Sequence, residues 1–294
     1  MNEARAQVDV SVVIPARNEA VMIPAQLGAV LDQEWDGSWE VIVVDNGSTD
    51  GTAEVIESLM ASHTRLHLVS ANEQASLNYA RNAGIAASVG RSFVLCDADD
   101  LVEPGWLAAM GEELENHEMV TGPLELDLLN PPWLAASRGR ADETDAPSFQ
   151  GLFATVHGNN LGMHREAFDR IGGFDSDPRI IGADDIDLSM RAWLDGIEVH
   201  FVPKAVVHYR YRTDLRVLFQ QGRRYGRSRP LIVRRLLDLG KQRPSRIAGW
   251  RSWVWLIVHL PDLRNEHGRT VWVWVAGNRL GQLEGSIRYR ALFV

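Results

Sequence analysis

The chain has 294 residues, 45% of them hydrophobic and 23% charged, with a formal net charge of −9. That balance supplies a packed core and excludes chain-wide disorder, and the acidic excess argues against general nucleic-acid binding by the main body. The single cysteine, Cys96, makes no internal disulfide, which fits a reducing, cytoplasmic compartment.

The N-terminal stretch MNEARAQVDVSVVIP has no long apolar run behind a basic start, so no secretory signal is expected. Nor does any run reach the roughly 18–20 apolar residues of a spanning helix. Four β-rich runs follow: VDVSVVI (8–14), WEVIVVD (39–45), RLHLVSA (65–71) and RSFVLCD (91–97). Between them, segments near 18–33, 50–62 and 74–89 carry apolar residues at helical spacing. Near-continuous apolar strands separated by helices predict a parallel sheet covered on both faces, a Rossmann-like α/β half.

In such sheets ligands collect beyond the carboxyl ends of the strands. Three runs end in polar clusters there: PARNE (15–19), DNGSTDGT (45–52) and DADD (97–100). Asp97 and Asp99 alternate at a strand end, so both carboxylates can face one crevice. A divalent cation relieves their repulsion, and oxygen ligands suit Mg²⁺ or Mn²⁺. Asp45 ends a buried strand and needs a donor, which a nucleobase or ribose would supply. Ser48, Thr49 and Asp50 read as caps of the next helix.

Beyond Leu101, residues 118–126, 198–203 and 205–210 read as strands and 130–150 as a loop. Asp184, Asp185 and Asp187 open an amphipathic helix over 182–196. The helix dipole favours first-turn acids, but three exceed what capping requires, and one with a raised pKa would serve as a base. From Thr213 the pattern is helical and basic, broken by Pro230, Pro244 and Pro261, and no internal repeat stands out. Residues 204–251 hold fourteen Lys/Arg against two acids, a local balance of +12 that leaves −21 for the rest. That polarity points to an anionic partner, a diphosphate or a membrane surface, against the plainer reading of a solvated helix face.

Six segments in chain order, SVVIPARNEA, VIVVDNGSTDGT, NYARNAGIAAS, FVLCDADD, GNNLGMHREAFDRIGGFD and GADDIDLSMRAWLDG, resemble family 2 glycosyltransferases of the GT-A fold. The likeness spans about residues 8–210. It implies a mixed central sheet, with a nucleotide-binding half (1–100), an acceptor-binding half (101–210) and a helical, basic extension (211–294). It further implies an inverting, hexosyltransferase-type enzyme of cell-envelope polysaccharide synthesis, using Mn²⁺ or Mg²⁺. The donor would be a nucleotide-diphosphate sugar, UDP by default with GDP or dTDP open. The acceptor would be a hydroxyl of a glycan or lipid-linked saccharide.

The resemblance also assigns roles. Pro15, Ala16, Arg17, Glu19, Asp45 and Asn46 would hold base and ribose, and Arg81 the base or phosphates with Asn82 in support. Asp97, Ala98 and Asp99 match the DxD motif, Asp99 being the direct metal ligand, and His208 matches a further ligand of some GT-A enzymes. Asp185 would be the catalytic base, with Asp184 where the family has Glu. Asn159, Asn160 and Gly173 would form the acceptor wall. Gln221-Gly-Arg-Arg-Tyr225 resembles the QxxRW motif with Tyr for Trp, which assigns Arg223 and Arg224 to the diphosphate. The Trp-rich C-terminus would serve as a peripheral contact on the cytoplasmic membrane face or as a homodimer contact.

Two other readings compete. A haloacid-dehalogenase-like phosphatase also places DxD after a strand, but position 101 is Leu where that pattern has Thr or Val, and PARNE and DNGSTDGT are left unexplained. A non-catalytic sugar-nucleotide-binding protein would not need the full set of acids present here.

Overall fold

Valine and isoleucine crowd the first strands because β-branched side chains suit a pleated surface buried on both sides. In this computed structural model, which describes residues 5–138, 144–241 and 248–293, they form β1 (Val8–Ala16), β2 (Trp39–Asp45), β3 (Leu66–Ser70) and β4 (Gly90–Leu95). The connecting helices are α1 (Ile23–Leu31), α2 (Thr52–Met60) and α3 (Leu77–Ala87). β5 (Leu101–Val102), α4 (Trp106–Glu113), β6 (Met119–Thr121), β7 (Leu124–Glu125) and α5 (Pro132–Ala135) follow. Next come β8 (Ser148–Phe149), β9 (Phe153–Ala154), β10 (Leu161–His164) and α6 (Arg165–Arg170). Then α7 (Asp184–Leu194), β11 (Val199–Phe201) and β12 (Val207–His208) lead to three C-terminal helices, α8 (Leu215–Asp238), α9 (Ala248–Val258) and α10 (Glu266–Tyr289).

The main sheet has seven strands in the order β11-β6-β10-β4-β1-β2-β3. β1, β2, β3 and β4 are parallel, and β10 runs antiparallel between β4 and β6, so the sheet is mixed. From β1 the chain moves outward through β2 and β3, then returns to place β4 on β1's other side. The order therefore reverses between β1 and β4, where open α/β sheets bind ligands. Register aligns Ala16 with Asp45, Asp45 with Ser70 and Val13 with Leu95, carrying Asp97 to the level of Pro15. The polar clusters share one edge, as expected.

Alternation divides the core. Val12, Ile14, Val41, Val43 and Val94 face α1 and α4, while Val13, Ile42, Val44, Phe93 and Leu95 face α3 and α7. Each fully buried side chain of this size stabilises by about 1.5–3 kcal/mol. α3 lies against the sheet at Gly84, where an added Cβ would stand 2.5 Å from Val13 and 2.6 Å from Val44. A third apolar cluster joins Leu231, Ile232, Val233 and Leu236 of α8 to Phe149, Phe153, Ile180, Ala183 and Met190.

The structure differs from the sequence reading in several places. The expected strand 118–126 splits at Gly122, where any Cβ would collide with the Ala205 carbonyl, and β7 joins a small sheet ordered β5-β12-β7. β10 was not expected; four residues are too few for alternation to declare a strand. Within 130–150 a short helix forms at Pro132, whereas 139–143 lie outside the described residues, as does Pro244.

Pro230 does not break the helix. α8 runs through it for 24 residues and packs in parallel on α10. Gly222 and Gly226 of α8 and Gly277, Gly281 and Gly285 of α10 form stripes at a spacing of four, each against backbone of the other helix. Such close packing offsets the roughly 3 kcal/mol that an interior proline costs. Among the described residues no helix is long and apolar enough to cross a membrane.

Candidate active site

Beyond the carboxyl ends of β1, β2 and β4 lies a cleft of about 250 Å³. Pro15, Ala16, Arg17, Glu19, Asn46, Asp97, Ala98 and Asp99 all line it. A wider concavity of about 1210 Å³ lies at the opposite end of the strands, beside Asp9, Arg91 and Ser92, so volume does not select the site.

Two loops are stitched together to make the cleft's rim. Asn18, with φ of 59°, accepts the Thr49 N–H at 2.8 Å and donates its own N–H to Ser48 at 2.9 Å. Glu19 N–H donates to Thr52 Oγ1 at 2.9 Å and Ala20 N–H to Asp50 at 3.0 Å. The polar residues expected to cap α2 also fix the first loop: the N-cap position is Gly51, with φ of 93°, while Asp50 accepts the N–H of Thr52 at 3.1 Å as well as that of Ala20. Asn46 donates to the Gln74 carbonyl at 2.8 Å and accepts the Ser76 N–H at 3.0 Å, which sets the opposite wall. Asp45 is absent from the cleft lining. Its carboxylate receives the Ser48 N–H at 3.2 and 3.4 Å, so the chain's own turn supplies a donor.

Asp97, Asp99 and Asp100 bring carboxylate oxygens within 4.8 Å of one another. Asp100 is buried, accepting the Arg210 N–H at 2.9 Å and Asn159 Nδ2 at 2.6 Å. Burial, then its acidic neighbours, push Asp100 well above the usual carboxylate range. Burial also raises Asp97, against the pull of Arg81. Glu19 is pushed up to about 7 by burial and by Asp99. Asp99 faces Arg212 across 2.9 Å. An all-oxygen donor set in which Asp97 and Asp100 are both raised fits a hard divalent cation such as Mg²⁺ or Mn²⁺.

Arg81 joins this cluster to the second. Its side chain is 2% exposed, with Nη1 donating to Asp184 at 2.6 Å and Nη2 to Asp97 at 3.4 Å. The guanidinium stands 5.3 Å over the Phe174 ring, and its Nε is buried without a partner. Asn82, the next residue, clamps the following loop by accepting the Phe174 N–H at 3.0 Å and donating to the Phe174 carbonyl at 2.8 Å. Asp184 also accepts the Gly182 N–H at 3.1 Å. Asp185 stays outside the Arg81 ion pair and accepts the Ile186 N–H at 2.8 Å. Burial, and then Asp184, push it up to about 6, with Arg81 and His157 pulling the other way.

Other expected site residues lie elsewhere. His208 does not join the Asp97–Asp99 cluster: its Nδ1 meets Glu125 at 2.6 Å and its Nε2 meets Glu103, because β12 sits between β5 and β7. Asn160 is fully buried and spent on the fold, accepting Trp106 Nε1 at 2.9 Å and donating to the carbonyls of Pro123 and Ala205 at 3.1 and 2.8 Å. Among the described residues, Asn159 meets the site through Asp100. Gly173 is buried as the end of the α6 turn, with φ of 69° and its N–H on the Phe168 carbonyl at 3.0 Å. Arg223 pairs with Glu284 of α10 at 2.6 Å, and Arg224 is exposed on α8. α8 reaches the site instead through Tyr225, against Gly182, and through buried Arg229, which feels the charge of Asp185. Sequence reasoning missed Arg212 and Arg229. Two-residue alternation from His208 could have flagged Arg212, but no sequence signal marks Arg229.

The family model described as glycosyl transferase family 2 matches residues 11–172. The chain belongs to this family. A model for glycosyl transferase family group 2 matches 92–276. Among curated relatives, the glycosyltransferase AglE of Haloferax volcanii is 40% identical over 99 residues, 33% of each chain. The probable glycosyltransferase YdaM of Bacillus subtilis is 26% identical over 243 residues, 78% of this chain and 57% of the relative. The chain thus spans less than two-thirds of the length of these relatives. The mannosyltransferase PcManGT from Pyrobaculum calidifontis, solved in complex with GDP-Man and Mn²⁺, superposes with a TM-score of 0.69 at 20% identity, covering 95% of this chain and 87% of that one. GalNAc-T7 with UDP, GalNAc and Mn²⁺ gives a TM-score of 0.56 at 17% identity over 76% of this chain and 48% of that one. The family 2 chain thus has the GT-A fold.

Proposed function

We propose that the chain transfers a sugar from a nucleotide-diphosphate donor, a UDP-sugar by preference, to an acceptor hydroxyl in one inverting displacement. The observation that carries this is Arg81, which ties Asp97 at the cleft to Asp184 beside Asp185 at 3.4 and 2.6 Å. A leaving-group end and a basic end are thereby held together. The donor's base and ribose would occupy the cleft beside Pro15, Arg17 and Asn46. Asp97 and Asp99 would hold Mn²⁺ or Mg²⁺, which when bound neutralises charge on a departing diphosphate. Arg212, facing Asp99, is placed to take a diphosphate oxygen.

Asp185 is the base. With a pKa of about 6 it is ionised at neutral pH yet basic enough to accept the acceptor's proton, on the oxygen not engaged by Ile186. As that O–H bond breaks, the acceptor oxygen bonds to the anomeric carbon. The carbon–oxygen bond to the diphosphate breaks with its electron pair, and the configuration inverts as in other base-activated single displacements.

Residues 211–294 act in this reading as an extension that presents the acceptor. Trp253, Val254, Ile257 and Val258 are exposed on α9, with exposed Arg251 and Arg264 nearby, a composition suited to a membrane interface carrying a lipid-linked saccharide. Vesicle sedimentation separates this from a homodimer contact, which would appear as a doubled mass without lipid binding.

The decisive experiment is a thermal-shift panel of nucleotide sugars with Mn²⁺, followed by turnover of the ligand that binds. Mn²⁺-dependent transfer or donor hydrolysis, lost in Asp99→Asn and Asp185→Asn, is expected. Wild-type turnover in Asp185→Asn would remove the base assignment. Stabilisation without turnover in any condition would favour the binding-protein reading.

A further inference from the structure

A second cluster of ligating side chains lies away from the cleft. Glu113 ends α4, His117 follows four residues later, and His200 sits on β11, the edge strand of the main sheet. The His117 N–H donates to the Glu113 carbonyl at 3.0 Å, which brings the two side chains to one side of the helix end. β11 pairs with β6, setting His200 opposite Val120, three residues beyond His117. The imidazoles of His117 and His200 stack with centroids 3.8 Å apart and planes 4° apart. Glu113 Oε2 lies 3.6 Å from His117 Nε2 and 3.2 Å from His200 Nε2. Ligand atoms of all three lie within 4.8 Å of one another.

We propose that Glu113, His117 and His200 bind a transition-metal dication of the Zn²⁺, Co²⁺ or Ni²⁺ class, at a site separate from the acid cleft. Bonds of about 2.0–2.2 Å to a tetrahedral ion put neighbouring ligand atoms roughly 3.3 Å apart. The two carboxylate–imidazole distances fall close to that spacing. Because an ion sits in the plane of each ring that ligates it, the parallel imidazoles must swing out of their stack to share one, which side chains 38–40% exposed can do. One distance is too long for a hydrogen bond and the other is at the outer limit, so neither contact is a tight pair in its own right. His208 shows the contrast, with a carboxylate against each ring nitrogen, at 2.6 Å for Glu125.

Imidazole selects borderline ions, whereas the carboxylates at Asp97 and Asp99 suit harder ones, so the two sites take different metals. The three side chains are 38–40% exposed, which leaves the fourth position to water. A bound ion would clamp the end of α4 to the sheet's edge strand.

Co²⁺ titration of the full chain, in excess Mg²⁺ to occupy the acid cleft, tests this by the visible absorption of tetrahedral Co²⁺. One equivalent is expected to bind, displaced by Zn²⁺, with affinity at least tenfold weaker in His117→Asn or His200→Asn and unchanged in Asp99→Asn. Zn²⁺ should raise the melting temperature of the wild type and not of the double His variant, whose melting in EDTA should match the wild type. No absorption band in the wild type, or an unchanged titration in the double variant, overturns the proposal.

Discussion

Arg81→Met removes the guanidinium that touches both acid clusters while keeping an apolar stem of similar length beside Phe174. The arginine is 2% exposed, Asp184 13% and Asp97 28%. Removing one partner of a buried pair costs about 3–5 kcal/mol, because the other charge stays desolvated. Asp97 is the more exposed and more distant partner, and the mutation also removes the unpartnered Arg81 Nε, so the low end of about 3 kcal/mol applies. For a chain of this size that is a fall of about 6–12 °C in melting temperature. The mutation should also move a titration. Arg81 holds Asp185 down against burial and Asp184, so without it the ascending limb of the pH–rate profile, set near 6 in the wild type, should rise by about one unit. Scanning calorimetry and a pH profile of turnover read the two effects, with Arg81→Lys intermediate in both. An Arg81→Met protein that melts with the wild type and keeps its limb would refute the bridge.

Other outcomes are expected from the same geometry. Asp185→Asn should abolish turnover yet raise thermal stability at pH 7. The folded Asp185 pKa, about 6, lies above the ordinary aspartate value of 3.8, so its contribution to stability falls as pH rises between them, by up to about 3 kcal/mol. The stabilisation should vanish below pH 4 in a pH series of melts. Asn160→Ala should cost about 2 kcal/mol or more by stranding Trp106 Nε1 and two carbonyls, with the acceptor KM unchanged in steady-state kinetics. A stable Asn160→Ala protein with a raised acceptor KM would restore this residue to the acceptor wall. Gly281→Val should destabilise by at least about 1–3 kcal/mol, since its side chain meets the Arg223 carbonyl, and urea unfolding would measure it.

Much of the nucleotide half was legible because its signals are local. Unbroken runs such as WEVIVVD can hardly be other than doubly buried strands, and observed β2 matches that run end to end. Polar residues placed directly after those strands had to meet at one sheet edge once the strands were parallel. The sequence therefore determined the α/β architecture and the clustering of PARNE, DNGSTDGT and DADD at one sheet edge. Local pattern was silent wherever a residue's partner is far along the chain. His208 was expected beside Asp99, but the pairing of β12 with β5 and β7 hands it to Glu103 and Glu125 instead. Asn160 resembled a binding residue until three distant segments claimed every polar atom it has. Pro230 signalled a helix end, and glycine-to-backbone packing over the length of α10 overrode it. Arg229 could be found only when α8 was docked. A side chain's chemistry is written in its own residue, but whether that chemistry is free for a ligand depends on what folding brings to within 3 Å, and that is decided by the tertiary structure alone.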